Sequence, residues 1–144
     1  MNLNSDRTLT NLPLRAGLWA LTIIELAIGI LAMLTPRAFY DHVLWVDLTP
    51  PYADHLMRDY GAMNLALGAV SLIAAITMDR LIVRTVLVAY IVFAIPHLII
   101  HVTHFQHYTT AAAVGETTAL VVAVLLPLAL LALTTNTTSK AHHP

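Results

Sequence analysis

Four apolar stretches divide the chain, at about 14–35, 57–77, 81–103 and 113–134, and segments rich in polar or aromatic residues separate them. Each has about the twenty residues that a helix needs to cross a hydrocarbon core of about 30 Å. Inside the stretches the few polar residues recur at helical spacing: Thr22, Glu25, Gly29 and Ala32 share one face, and Tyr60, Asn64, Gly68 and Ser71 share another. The pattern predicts an all-α fold, a four-helix transmembrane bundle that forms a single membrane domain over residues 1–144. The first stretch is too long for a signal-peptide core, carries Glu25 inside it and lacks a small-residue cleavage site after it. It reads as a retained helix.

Basic residues orient the bundle, because short cytoplasmic loops carry the excess of Lys and Arg. Arg7, Arg15, Arg80, Arg84 and Lys140 fall on the side of the amino terminus, and Arg37 and Arg58 on the other. Both termini are therefore expected in the cytoplasm, with Met78-Asp79-Arg80 as a tight cytoplasmic turn between antiparallel neighbours. The longest connection, about 36–56, mixes Phe39, Tyr40, Trp45 and Tyr52 with Asp41, His42, Asp47 and Asp54, and Pro36, Pro50 and Pro51 argue against a long helix in it. It is expected to lie as an interfacial lid over the outer end, with Tyr40, Trp45 and Tyr52 as interface anchors. The tails, 1–12 and 135–144, are rich in Asn, Thr and Ser and are expected to be loose; His142 and His143 belong to the second.

The third stretch ends in Pro96-His97-Leu98-Ile99-Ile100-His101-Val102-Thr103-His104-Phe105-Gln106-His107, an expensive sequence for lipid. His97, His101 and His104, at i, i+4 and i+7, span only about 60° of a helix surface. Tyr90 extends the stripe inward, and Tyr108 extends it outward if the helix persists. Glu25, Asn64, His97 and His101 fall in the outer half of the bundle, while His104 and Glu116, with Arg58 and Asp59, cap it. Two histidines one helical turn apart, completed by a carboxylate from a facing helix, are a common metal site in bundles. His97, His101, His104, Glu116 and Glu25 are the candidate metal ligands, for zinc, iron, manganese or copper(II). Asn64, Tyr60 and Tyr90 are candidate cofactor-binding residues.

Haem ranks below a metal ion, since only His42 or His55 lies off the third stretch to supply a second axial ligand. A His–Glu array could instead relay protons. A purely structural reading stands beside these: His104 and His107 as interfacial residues at a helix end, His97 satisfying Glu25 or a carbonyl near Pro96, and Arg58 with Asp59 as local charge balance.

Composition narrows the classes. The 144 residues are 58% hydrophobic and 10% charged, against about a quarter charged in soluble domains. The expected partner is the lipid bilayer, with a membrane protein or a second copy as further candidates. A formal net charge of −1 offers no basic footprint for nucleic acid. The absence of cysteine excludes thiol–disulfide relays, cysteine-ligated iron–sulfur clusters and a cysteine nucleophile. No H-E-x-x-H pattern supports a zincin protease.

Arg58-Asp59-Tyr60-Gly61-Ala62-Met63-Asn64-Leu65-Ala66-Leu67-Gly68, followed by a short basic turn and Pro96-His97 with His101 and His104, resembles the small four-helix bacterial membrane proteins grouped as DoxX-like. The resemblance covers about 14–134. It implies a multi-pass protein of the bacterial inner membrane, in or near a membrane redox assembly, and assigns no catalytic role to any residue here. The expectation that results is an outward-facing His/Glu pocket that binds a metal ion or a small redox ligand. The alternatives are an accessory subunit, for which Gly29, Gly61 and Gly68 would present a smooth face to a partner, and a proton-linked transporter, which the apolar inner half disfavours.

Overall fold

The computed structural model describes residue 9, residues 11–48 and residues 51–139, with side chains described to residue 135. Five α-helices, α1 (Leu12–Leu34), α2 (Pro36–His42), α3 (Asp54–Thr77), α4 (Arg80–Val102) and α5 (Thr110–Ser139), are joined by short connections, with one 3₁₀ turn at Val46–Leu48. Four of them, α1, α3, α4 and α5, are long and apolar enough to cross a membrane. Arg7, Pro50, Lys140, His142 and His143 lie outside the described residues.

Local chemistry sets the boundaries. The Asn11 side chain accepts from the Leu14 N–H at 3.3 Å and starts α1. Thr35, pressed out of helical geometry (φ −130°, ψ 55°) by the proline after it, ends α1, and Pro36 starts α2 where its missing N–H is harmless. Met78 closes α3 in a left-handed conformation (φ 50°), and Asp79 opens α4 by accepting from Leu81 N (2.9 Å) and Ile82 N (3.1 Å). The Leu9 N–H donates to the Met78 carbonyl at 2.9 Å, so the chain before α1 meets the α3–α4 turn at one end of the bundle. Asp79→Ala is expected to cost about 1 kcal/mol, read as a melting shift of a few degrees in detergent.

The second tail departs from expectation. α5 continues past residue 134 to Ser139. Thr134 and Thr135 donate their hydroxyls back to Leu131 O and Ala132 O, both at 2.7 Å, so threonines that read as loop are compatible with another helical turn.

α1 packs along α3, α4 along α5, and contacts of α3 with α4 and of α1 with α5 join the two pairs. Gly29, Gly61 and Gly68 are buried in the α1–α3 contact: a Cβ on Gly61 would lie 2.6 Å from Met33 N, and one on Gly29 2.8 Å from Leu65 N. These glycines join two helices of the same chain and expose no smooth face to a partner. The core is apolar toward the α3–α4 turn, where Leu14, Leu18, Ala74, Ala75, Val83 and Leu87 are fully buried. Outside, Ile23, Ile30, Ile73, Ile76, Val92, Val122 and Leu125 are exposed on all four long helices. An apolar belt of that extent is a lipid-facing surface. The chain is a multi-pass membrane protein.

The connection between α1 and α3 is tied down at the opposite end. Arg58 pairs with Asp54 at 2.7 Å, not with Asp59, and its Nη1 donates to the Met33 carbonyl at the end of α1, also at 2.7 Å. Arg37 pairs with Asp41 at 2.7 Å and lies 4.9 Å from the Tyr52 ring centroid. Such exposed pairs add little to stability, because solvent screens them. Their value is placement of the segment over this end of the bundle.

Candidate functional site

α4 sets the site. His97 and His101 stand one turn apart beyond Pro96, and their rings meet edge to face with centroids 4.4 Å apart. His97 also stacks on Phe93 (5.1 Å) from its own helix and on Tyr60 (6.1 Å) from α3. Phe39 of α2 follows at 6.3 Å from Tyr60, so five rings form one continuous run from the lid to α4.

Glu116, in the second turn of α5, faces this run and is only 6% exposed. Its Oε1 lies 2.9 Å from His101 Nδ1 and accepts from the Tyr108 hydroxyl at 3.1 Å. Its Oε2 has no protein donor. Tyr108 also has the Trp45 carbonyl in reach, at 3.4 Å, and thereby connects the α4–α5 loop, the lid and the carboxylate. Burial, then the hydrogen bond to Glu116 and its charge, push the Tyr108 phenol above its ordinary value, so it stays protonated and remains a donor.

Trp45 closes the arrangement. Its backbone is left-handed (φ 69°), unusual for a bulky residue, and its ring rests on α5 where Gly115 has no side chain. Beneath it lies a cavity of about 210 Å³ walled by Phe39, Trp45, Tyr60, His97, His101 and Glu116. A larger cleft of about 710 Å³, bordered by Tyr40, Asp47, His104 and His107, lies outside it and shares Met57 and His101 with it as walls.

A second polar group lies deeper. Glu25 of α1 is 2% exposed, lies near the Tyr90 hydroxyl of α4 and has its Oε2 without a protein partner. Asn64, 1% exposed, donates to the carbonyl of Tyr60 one turn earlier at 2.7 Å. The polar residues expected at one level thus occupy two levels. Of the three expected ligand-binding residues, Tyr60 lines the cavity, whereas Asn64 and Tyr90 belong to the Glu25 group.

The five expected metal ligands are not brought together. Among the described residues no group of three or more His, Cys, Asp and Glu side chains is placed to hold a metal ion. Helix α4 ends at Val102, so His104 leaves the stripe, stays exposed and places Nδ1 2.7 Å from the Ile100 carbonyl. Glu25 meets Tyr90 rather than a histidine, and His97 turns its ring faces to Tyr60 and Phe93. Only the pair of His101 and Glu116 forms. For haem, His42 and His55 are exposed at the end of α2 and in the first turn of α3.

Two site residues escaped the sequence reading in different ways. Trp45 read as an interface anchor, and the one signal that could have marked it is Gly115, a bare position beside a buried carboxylate. Tyr108 was expected to join the stripe by continued helix; it reaches Glu116 by a loop that folds back. Comparison of the chain with family models, with curated proteins and with solved structures finds no match.

Proposed function

We propose that this chain is a membrane-embedded binding protein for a small, mostly apolar organic molecule that carries one polar group. The observation that carries this reading is the buried Glu116 carboxylate, which faces an aromatic-walled cavity with Oε2 unclaimed. Apolar walls with one or two placed polar groups are the usual make-up of small-molecule sites. At about 210 Å³ the cavity has room for about seven waters' share of liquid volume, about 30 Å³ each. That suits a single ring with a short substituent. Basic residues at the end opposite the lid, Arg15, Arg80 and Arg84, support an orientation with both termini in the cytoplasm of a bacterial cell and the pocket at the outer face. The resemblance to DoxX-like proteins supports a membrane redox assembly as the setting.

A direct test uses the protein in detergent with Trp19, the lipid-facing indole, replaced by Phe, so that Trp45 reports alone. Benzyl alcohol is expected to change its fluorescence saturably, and Leu120→Phe, which fills the cavity wall, to abolish the response. A strictly linear response in both proteins overturns the reading.

The proposal also separates from a metal site. Prepared without a histidine tag and equilibrated with zinc, iron, manganese or copper, the protein is expected to retain far less than one metal per chain, and His97→Ala/His101→Ala to leave that content unchanged. Near-stoichiometric metal lost in the double variant would restore the metal reading.

A further inference from the structure

The walls of the cavity restrict the polar group its ligand carries; this step rests on the cavity being a ligand site. Glu116 Oε1 is occupied by His101 and Tyr108, while Oε2 has no protein donor and the residue is 94% removed from solvent by its 6% exposure. Toward the ionised carboxylate, the complementary group is a donor to Oε2. The rings of Phe39, Trp45 and Tyr60 line the same cavity, and aromatic faces carry negative potential. Among the described residues, neither the cavity nor the cleft outside it is lined by Lys or Arg; the basic groups there are the imidazoles of His97, His101, His104 and His107, of which His101 is already on Glu116, and the cleft adds the carboxylate of Asp47 on the way in.

Each ligand class meets these walls differently. An anion meets Glu116 and Asp47 with no guanidinium or ammonium to offset them. A neutral hydroxyl satisfies Oε2 and leaves the ring faces and Asp47 without a specific role. An ammonium group uses all of them: its N–H makes a charge-assisted hydrogen bond to the carboxylate, and its charge lies against aromatic faces, the mode by which aromatic cages hold organic cations. A buried carboxylate paired with a cation also avoids the penalty of an isolated charge in a low-dielectric site.

We propose that the pocket binds a small organic ammonium ion, an aryl- or alkylamine of about one ring and a short chain, with its nitrogen on Glu116 Oε2.

The test compares benzylammonium with benzyl alcohol and benzoate, near-isosteric cation, neutral and anion, by Trp45 fluorescence in the Trp19→Phe protein at neutral pH and low salt. Benzylammonium is expected to bind about tenfold or more tightly than the alcohol, as one charge-assisted contact supplies, and benzoate not to compete. Glu116→Gln is expected to remove the amine's advantage, bringing the affinities of amine and alcohol together. Asp47→Asn, on the exposed lid surface, is expected to weaken the amine a few-fold at low salt only. It remains informative if Glu116→Gln does not fold. If alcohol and amine bind equally, or the alcohol alone binds, the ammonium assignment is overturned and the pocket stands. If neither binds, both readings fall.

Discussion

Gly61→Ala is expected to be the most disruptive single methyl that can be added to this bundle. The new Cβ would lie 2.6 Å from Met33 N, 3.0 Å from Ala32 C and 3.0 Å from Gly29 O, all backbone atoms of α1. Backbone inside a packed helix cannot rotate aside as a side chain can, so α1 and α3 must separate along their whole contact. Close approach of this kind is what small residues supply between membrane helices, where packing rather than hydrophobic exclusion drives association. Overpacking costs about 1–3 kcal/mol and more where backbone must move. In mild detergent the melting temperature is therefore expected to drop by about 10 °C or more. Gly17→Ala is the contrast. Its obstacle is the side chain of Leu130, which has rotamers available, and the expected loss is a fraction of the Gly61 effect. Equal melting temperatures for the two variants would show that backbone contact does not control the α1–α3 interface.

In the sequence Gly61 stands beside Gly29 and Gly68 as one of three small residues, and nothing in the spacing sets it apart. Hydropathy located the membrane helices, because each is a long apolar run and length alone decides whether it can span. Helical spacing then put Gly29 with Glu25 on one face and Gly68 with Asn64 on another. Spacing says which residues share a face, not which face meets which helix or how closely. The histidine stripe failed for a related reason. His104 continues the i, i+4, i+7 series only while the helix lasts, and α4 stops at Val102, where the Thr103 hydroxyl turns back to the Ile99 and Ile100 carbonyls at 3.0 and 2.8 Å. Glu25 and Glu116 were equally plausible partners for an imidazole from depth alone. Tyr90, on the same helix as the histidines but two turns inward, takes the first and leaves His101 to the second. The ring of Trp45, brought in by a left-handed residue in the connection, has no periodic signature at all.

These two carboxyls also divide the bundle functionally. Glu25 lies among Asn64, Tyr60 and Tyr90 above the apolar core, and no cavity among those described reaches it. Glu116 borders a space that a larger cleft adjoins. Each carboxyl has one oxygen, Oε2, without a protein partner; Glu25 is closed off by packing, whereas Glu116 opens onto a cavity and can meet a ligand there. The chemistry of the site therefore rests on α4, α5 and the lid, while α1 and α3 act as the close-packed pair that holds Tyr60 in place.

The lid gives the second large prediction, Gly115→Ala. A Cβ there would lie 2.7 Å from Trp45 Cζ2 and 3.4 Å from Cε2, so the indole must leave its seat. Trp45 already holds a left-handed backbone, a conformation that costs a bulky residue about 1–3 kcal/mol and persists only while its surroundings enforce it. With the ring displaced, the lid loses the contact that holds that backbone, and the Tyr108 bridge at 3.4 Å to the Trp45 carbonyl is too long to replace it. Binding of the fluorescent-site probes is expected to fall at least about tenfold, about 1.4 kcal/mol, with Trp45 emission shifted to the red. The melting temperature should hardly change, because no helix–helix contact is touched. Trp45→Gly makes the complementary case: it removes the ring and, by placing glycine where φ is positive, also relieves the strain. With binding read by titration calorimetry, since the indole reporter is gone, it is expected to match Gly115→Ala in lost binding while being at least as stable as the parent protein. If Gly115→Ala keeps both the affinity and the emission of the parent, Trp45 is an interface anchor and the cavity is closed by other means; if binding falls in both variants with the bundle intact, the indole is the closing wall of the site.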